Sequence, residues 1–512
     1  MAFTSRLCGG NTFGVNKIQL MKENLRAKFN MGLTMAAIAT VTFVACKKNN
    51  NTTETPTTVT ELKDYSVNPS LVKTLSGFEN VKVTTLISSD DKLSGSPDFV
   101  FGAQPDGAGM MKDPNSDGYI MISNHEILFS VSRIYLDKNL KPVKGEYIVD
   151  SEGGRMRLCS ATLVDPATYG FGPMFLTAGE TDGESMIHGI DPLGPVSNKK
   201  ANRTLSALGK CSAENAVPLH KDAYTGKTAI LIGEDESSRQ GLGQVNLYLG
   251  ATGDLNNGEL YMLRRKDLNV VETDMAVNST YDVEFVKYDD VKASTGAQLA
   301  AQTVAKSAIQ FARVEDLDHG KGGGAASRTV YFTATGVSPD KVNPAPGLTM
   351  WGRVYKLEMD AADPLKGKLT PLVDGNVDPG NSLVNPDNIC VTKNFVYIQE
   401  DGDSYYTNNK HDGRIWQYNI ATKVLKPMLE MNHRRTDATF NAKYNVANDT
   451  RLSTWEYGAM YDISDLTGRP NTFAVNIHPH TWTDNKFQNA DGGGLTTNKE
   501  GGQVVILTGL EK

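Results

Sequence analysis

Short runs of apolar, aromatic and β-branched residues recur along this chain, separated by clusters of Gly, Asn, Asp and Pro. Runs at 119–123, 130–136, 174–177, 228–232, 245–249, 330–335, 395–398, 473–477 and 504–507 have strand length, and the residues between them suit antiparallel turns. A turn glycine followed by an aromatic-bearing run repeats at Gly243, Gly258, Gly352 and Gly413. Irregularly spaced repeats of this kind predict an all-β fold, a β-propeller of about six blades with inserted loops, with a two-sheet sandwich as the alternative. One segment breaks the pattern. Residues 297–312 carry Leu299, Val304, Ile309 and Phe311 among alanines, which predicts a short inserted helix ending at Arg313 and Glu315.

The first 45 residues read as a lipoprotein signal peptide. Lys22, Arg26 and Lys28 precede an apolar stretch at 31–45, and Phe43-Val44-Ala45-Cys46 resembles a cleavage box with Cys46 as the lipidated residue, Phe43 standing where Leu is usual. The apolar stretch falls short of the ~20 residues a transmembrane helix needs. Residues 46–62 are polar and read as a flexible tether, leaving 63–512 as one propeller domain. Cleavage removes five basic residues and Glu23, so the formal charge moves from −7 to about −11. That sign disfavours nucleic acid as a partner and favours bound cations. The expected product is a monomer in the cell envelope, held to membrane through Cys46, with the periplasmic face of the outer membrane favoured over the cell surface.

Several catalytic signatures are missing: no GxSxG elbow, no phosphate-binding GxxxxGK[ST] loop, no HExxH and no GxGxxG after a strand. With eight histidines in the chain, a His-rich zinc or copper site is disfavoured. What remains is a set of six polar clusters beside strand-forming runs: Asn124-His125-Glu126, Leu158-Cys159-Ser160, Gly179-Glu180-Thr181, Ala213-Glu214-Asn215, Arg313-Val314-Glu315-Asp316 and Pro386-Asp387-Asn388. Carboxylates drawn together by a fold repel one another unless cations neutralise them. The oxygen donors suit hard cations, and one thiolate suits a softer metal such as iron. Beyond Cys46, the mature chain has Cys159, Cys211 and Cys390, an odd number, so at least one stays free.

In their order along the chain, these clusters resemble the PhoX-type alkaline phosphatases. The resemblance begins at Asn124-His125-Glu126 and runs through Cys159-Ser160, Gly179-Glu180, the stretch 208–214, Ile232-Gly233-Glu234-Asp235, Arg313-Val314-Glu315-Asp316, the runs 330–335 and 352–357, and Asn385-Pro386-Asp387-Asn388 to the run ending at His478. It implies a propeller with a composite iron and calcium centre that hydrolyses phosphate esters of small molecules. Cys159 would be the thiolate ligand to iron, with Glu180, Glu214, Glu315 and Asp387 as carboxylate ligands, Glu126 beside them, and Arg313 facing the phosphate. Three positions depart from the family pattern: Ala213 where His is usual, Gly179 in place of the first of two glutamates, and Val314 in place of Pro. Other readings are a calcium-stabilised binding or scaffold propeller without hydrolysis, and a propeller lactonase or sugar dehydrogenase using one calcium.

Overall fold

The computed structural model describes residues 60–238, 241–402 and 406–512; the expected signal peptide, Cys46 and the tether up to residue 59 lie outside them. The described residues fall in one compact unit, Thr58–Lys512. Eight of the nine runs read from the sequence lie wholly within a strand, usually one to three residues longer than the run itself, and the run 330–335 outlasts its strand Thr329–Ala334 by one residue. All paired strands are antiparallel.

Five sheets make up the fold. One runs in chain order through Ala108–Lys112, Tyr119–His125, Ser130–Leu136 and Pro142–Val149; the next through Leu158–Val164, Met174–Gly179 and His188–Ile190. Two later sheets are each finished on the outside by a strand from the beginning of the fold. Val72–Thr74 pairs with Leu425–Met431, beyond Arg414–Asn419, Phe395–Glu400 and Pro386–Val391; Lys82–Ser88 pairs with Gln503–Thr508, beyond Thr472–His478 and Glu456–Asp462. The fifth sheet has nine strands. Its two ends are meanders, Ala213–Pro218 to Glu259–Arg265 and Val314–His319 to Lys366–Asp374, and Tyr281–Lys287 pairs with Glu259–Arg265 on one side and Lys366–Asp374 on the other. The arrangement is therefore propeller-like, with four blade-like sheets and one nearly closed nine-stranded sheet. About six separate blades were expected, and the stitching strand makes the difference.

The predicted helix is shorter than its alanine-rich pattern. It spans Gly296–Ala305, opens on a capping box between Thr295 and Gln298, and buries Leu299 and Thr303. Ser307 adopts a left-handed backbone (φ 55°), after which Gln310 bridges to Val271 and Phe311 to Gly243. Phe311 is claimed by the core of the nine-stranded sheet, edge-on to Phe332 and Tyr355, which is why the helix cannot continue to Arg313. Trp455, Trp482, Tyr397 and Phe473 lie in another core, packed with residues of the two sheets that the early strands complete. Each such side chain contributes about 1.5–3 kcal/mol by burial.

The innermost strands matter most for function. Ala108–Lys112, Leu158–Val164, Ala213–Pro218, Val314–His319, Pro386–Val391 and Glu456–Asp462 touch one another in a closed ring. Five of them carry a β-bulge in which an extra residue enters the inner strand, between Leu158 and Ala161, Ala213 and Ala216, Val314 and Leu317, Pro386 and Ile389, and Tyr457 and Met460. A bulge breaks strict alternation and re-aims neighbouring side chains. Four of the bulges hold the dyads Cys159-Ser160, Glu214-Asn215, Glu315-Asp316 and Asp387-Asn388.

Candidate metal centre

Within each dyad the two residues take different duties. The first member lines a polar cavity of about 210 Å³, and in three dyads the second lines a separate cavity of about 530 Å³. The second members knit to one another: Asn388 Nδ2 donates to Ser160 Oγ (2.6 Å) and Asn215 Nδ2 to Asp316 Oδ1 (2.5 Å), while the Ile389 amide donates to Asp316 Oδ2 (3.0 Å). These buried bonds fix the backbone from which the first members project.

Glu126, Cys159, Glu180, Glu214, Arg313, Glu315 and Asp387, singled out from the sequence, all line the smaller cavity. Their donor atoms form overlapping triads, Glu126–Cys159–Glu180, Asp106–Cys159–Glu214 and Glu214–Glu315–Asp387, within which the ligand atoms lie less than 4.8 Å apart. Cys159 belongs to two triads and so does Glu214. The Cys159 thiol donates to Glu180 Oε2 at 2.8 Å, the Ser160 amide to Glu214 Oε1 at 3.2 Å, and Arg157 is ion-paired with Glu126. One oxygen each of Asp106 and Asp387 is buried with no hydrogen-bond partner. Cys159, Cys211 and Cys390 are all buried, and Cys159 and Cys390 are free thiols.

Arg313 sits among carboxylates, its backbone left-handed at φ 64°. Its Nε and one terminal nitrogen clamp Asp235 at 2.8 and 3.2 Å, Glu315 Oε1 lies 2.8 Å away, and the other terminal nitrogen is 3.6 Å from Asp401. Asp235, from Ile232-Gly233-Glu234-Asp235, was noted in the sequence only as part of a motif, because its partner lies 78 residues further on.

Sequence reasoning passed over Asp106, Arg157, Asp401, Glu456, His480 and Glu500, and noted His478 only as the end of a run. All but His478 line the cavity, and His478 sits directly behind it beside Glu456. Asp106 stands two residues before the first inner strand, in a Gly/Asp-rich lead-in that offers several equivalent carboxylates. Glu456 and the histidines come together only through the strand register that sets Glu456 opposite His478.

Electrostatics follow from this crowding. Burial pushes Asp106, Glu180, Glu214, Glu315 and Asp387 well above the usual carboxylate range, and neighbouring carboxylates push the same way. The Cys159 thiol is raised by burial and then by Glu126, Glu180 and Glu214. Asp235 goes the other way: despite burial, Arg313 holds it below the ordinary value. Burial pushes Asp316, which lines the larger cavity, up to about 7.

A pH dependence results. Carboxylates with raised folded-state pKa hold protons that the unfolded chain has released, so their stabilisation is present at low pH and is lost as pH rises through the folded values. The metal-stripped protein is therefore expected to melt at progressively lower temperature from about pH 5 to about pH 8, with Asp316 placing part of that loss near neutrality. Added cations should restore the melting point most at the alkaline end. Scanning fluorimetry in chelator checks this, and a stripped protein whose melting point rises across that range would contradict it.

No protein-family model and no curated protein matches the chain. Among solved structures the fold is similar to that of Pseudomonas fluorescens PhoX, determined in complex with vanadate, a transition state analogue. The TM-score is 0.57 at 15% identity, over 87% of this chain and 98% of that one. The PQQ-bound aldose sugar dehydrogenase from Streptomyces coelicolor aligns over 84% of this chain and 98% of that one, at 9% identity and a TM-score of 0.36. The fold is PhoX-like. Among the described residues, no helix is long and apolar enough to cross a membrane.

Proposed function

We propose that this chain is a metal-dependent phosphoester hydrolase of the PhoX kind, with a carboxylate- and thiolate-bound iron–calcium centre, tethered to membrane through a lipid on Cys46. On this reading the two meanders of the nine-stranded sheet each count as a blade, and the propeller has six. The observation that carries the function is the chain of overlapping donor triads, in which Cys159 and Glu214 are each shared. Shared donors suit adjacent cations better than one isolated ion. The orphaned oxygens of Asp106 and Asp387 fit the same picture, since a buried polar atom without a partner costs about 1–3 kcal/mol unless something satisfies it.

Cys159, Glu126 and Glu180 would hold iron, and Glu214, Glu315 and Asp387 would hold calcium, by the softness of thiolate and the hardness of carboxylate. When bound, the cations would neutralise the dianionic ester and stabilise charge at phosphorus. The protein's own part is positioning. Asp235 fixes the plane of the Arg313 guanidinium, whose other edge faces Glu315 and Asp401 and would form two parallel hydrogen bonds to phosphate oxygens by exchanging those carboxylate contacts. The bulged strands set the donors at fixed separations, so little reorganisation is needed on substrate binding.

Elemental analysis alongside hydrolysis of an aryl phosphate tests the proposal. The expected result is iron and calcium in the purified protein and turnover that chelation abolishes and the two metals restore. Calcium without iron and without turnover would replace the enzyme with a calcium-stabilised binding or scaffold propeller.

A further inference from the structure

Two of the eight histidines converge, which their scarcity in the sequence argued against. We infer that Glu456, His478 and His480 form a separate site for a divalent cation of the zinc class, on the wall of the same cavity but sharing no donor with the thiolate and carboxylate triads. The assignment is independent of phosphoester hydrolysis.

Strand register builds the site. Glu456 opens its inner strand directly opposite His478, the last residue of Thr472–His478, and a tight turn in which the His480 amide donates to the His478 carbonyl (3.1 Å) returns the second ring to the same carboxylate. His480 Nε2 lies 3.0 Å and His478 Nδ1 3.4 Å from Glu456 Oε2, and the two rings meet edge to face. His478 is fully buried, and neither of its ring nitrogens has a hydrogen-bond partner. Its Nε2 is pressed against the backbone of Gly458, where a side-chain carbon would sit 2.8 Å away, so Nδ1 is the nitrogen aimed at Glu456. An imidazole this deeply buried, whose Nδ1 faces a carboxylate at 3.4 Å without an aligned hydrogen bond and has a second imidazole beside it, is placed to donate to a cation.

The surroundings of His480 suit that role. Its other nitrogen, Nδ1, is 3.1 Å from Glu500 Oε2, which also accepts a hydrogen bond from Gln104 Nε2 at 2.9 Å. With the proton on Nδ1, the ring is oriented by a carboxylate and presents Nε2 outward, an arrangement usual for metal-bound imidazole. Two imidazoles and one carboxylate match zinc and its neighbours better than calcium, which takes oxygen donors. Three protein donors leave a further coordination position, and Glu456 and His480 face the cavity.

Cobalt(II) provides the test, as a stand-in for zinc with an X-ray absorption signal. The thiolate and carboxylate triads contain no histidine, so imidazole scattering from bound cobalt reports this cluster. The stripped wild-type protein is expected to take up cobalt with imidazole scattering that His480→Gln loses. Glu500→Gln, which leaves all three donors in place, should weaken that component about 10- to 100-fold. Cobalt without imidazole ligation in the wild type, or a signal unchanged in His480→Gln, would make the cluster a hydrogen-bonded ion network and overturn the assignment. Should His480→Gln fail to fold, the wild-type spectrum and the Glu500→Gln titration still decide, because unchanged affinity in Glu500→Gln counts against the site. Aryl phosphate turnover enters none of these readouts, so an inactive protein leaves the result intact.

Discussion

Cys159→Ser is expected to lose its iron and to hydrolyse aryl phosphate about 1000-fold more slowly than wild type, roughly 4 kcal/mol of transition-state stabilisation. The size of the effect comes from the position of the thiol in two overlapping donor triads. Removing a group that merely orients a metal ligand costs about 10- to 100-fold, and a ligand common to two triads should cost more. Serine is close in shape, and its hydroxyl can still donate to Glu180, the partner the thiol has at 2.8 Å. The stripped variant should therefore melt within a few degrees of the stripped wild type. Elemental analysis, visible absorption and steady-state kinetics on the same preparation measure all three quantities. Full iron content and full turnover in the variant would remove Cys159 from the centre.

Arg313→Lys should slow turnover about 30- to 1000-fold, or about 2–4 kcal/mol, while metal content stays at the wild-type level. Lysine keeps the charge that Asp235 and Glu315 require but cannot hold the two-point contact with Asp235, nor present a planar edge to phosphate. Without substrate, the carboxylates of Asp235, Glu315 and Asp401 balance the guanidinium, and burial makes that balance necessary. Arg313→Ala would leave buried carboxylates uncompensated, at a cost of about 3–5 kcal/mol of stability. Lysine is thus the informative replacement. A lysine variant that sheds its metals or unfolds assigns Arg313 to neutralising the buried carboxylates, and one with unchanged turnover takes it out of the reaction.

Much of this architecture is legible as local pattern. Short apolar, aromatic and β-branched runs locate the strands, because strands buried on both faces, such as Tyr119–His125 and Thr472–His478, need them. The polar dyads Cys159-Ser160, Glu214-Asn215, Glu315-Asp316 and Asp387-Asn388 stand out because a bulge puts two consecutive polar groups where alternation allows one. Features set by long-range pairing are silent. Tyr281–Lys287 reads as any strand, and nothing near it announces that its second neighbour is Lys366–Asp374. Alanine-rich composition carries the helix reading past Ala305 because propensity cannot foresee that Phe311 belongs to a distant core. Asp106, Glu456, His480 and Glu500 are ordinary turn and strand-end residues until register brings them together.

The early strand Lys82–Ser88 completes its sheet only by pairing with Gln503–Thr508, and the cavity draws on residues from Gln104 to Glu500. A nascent chain therefore holds no complete set of donors until Glu500 and the strand Gln503–Thr508 have been made. Partial chains expose scattered carboxylates, since the donors meet only when the ring of inner strands closes. Whatever cations the finished protein carries are those of the compartment in which its final strand docks, whichever metals surrounded the ribosome.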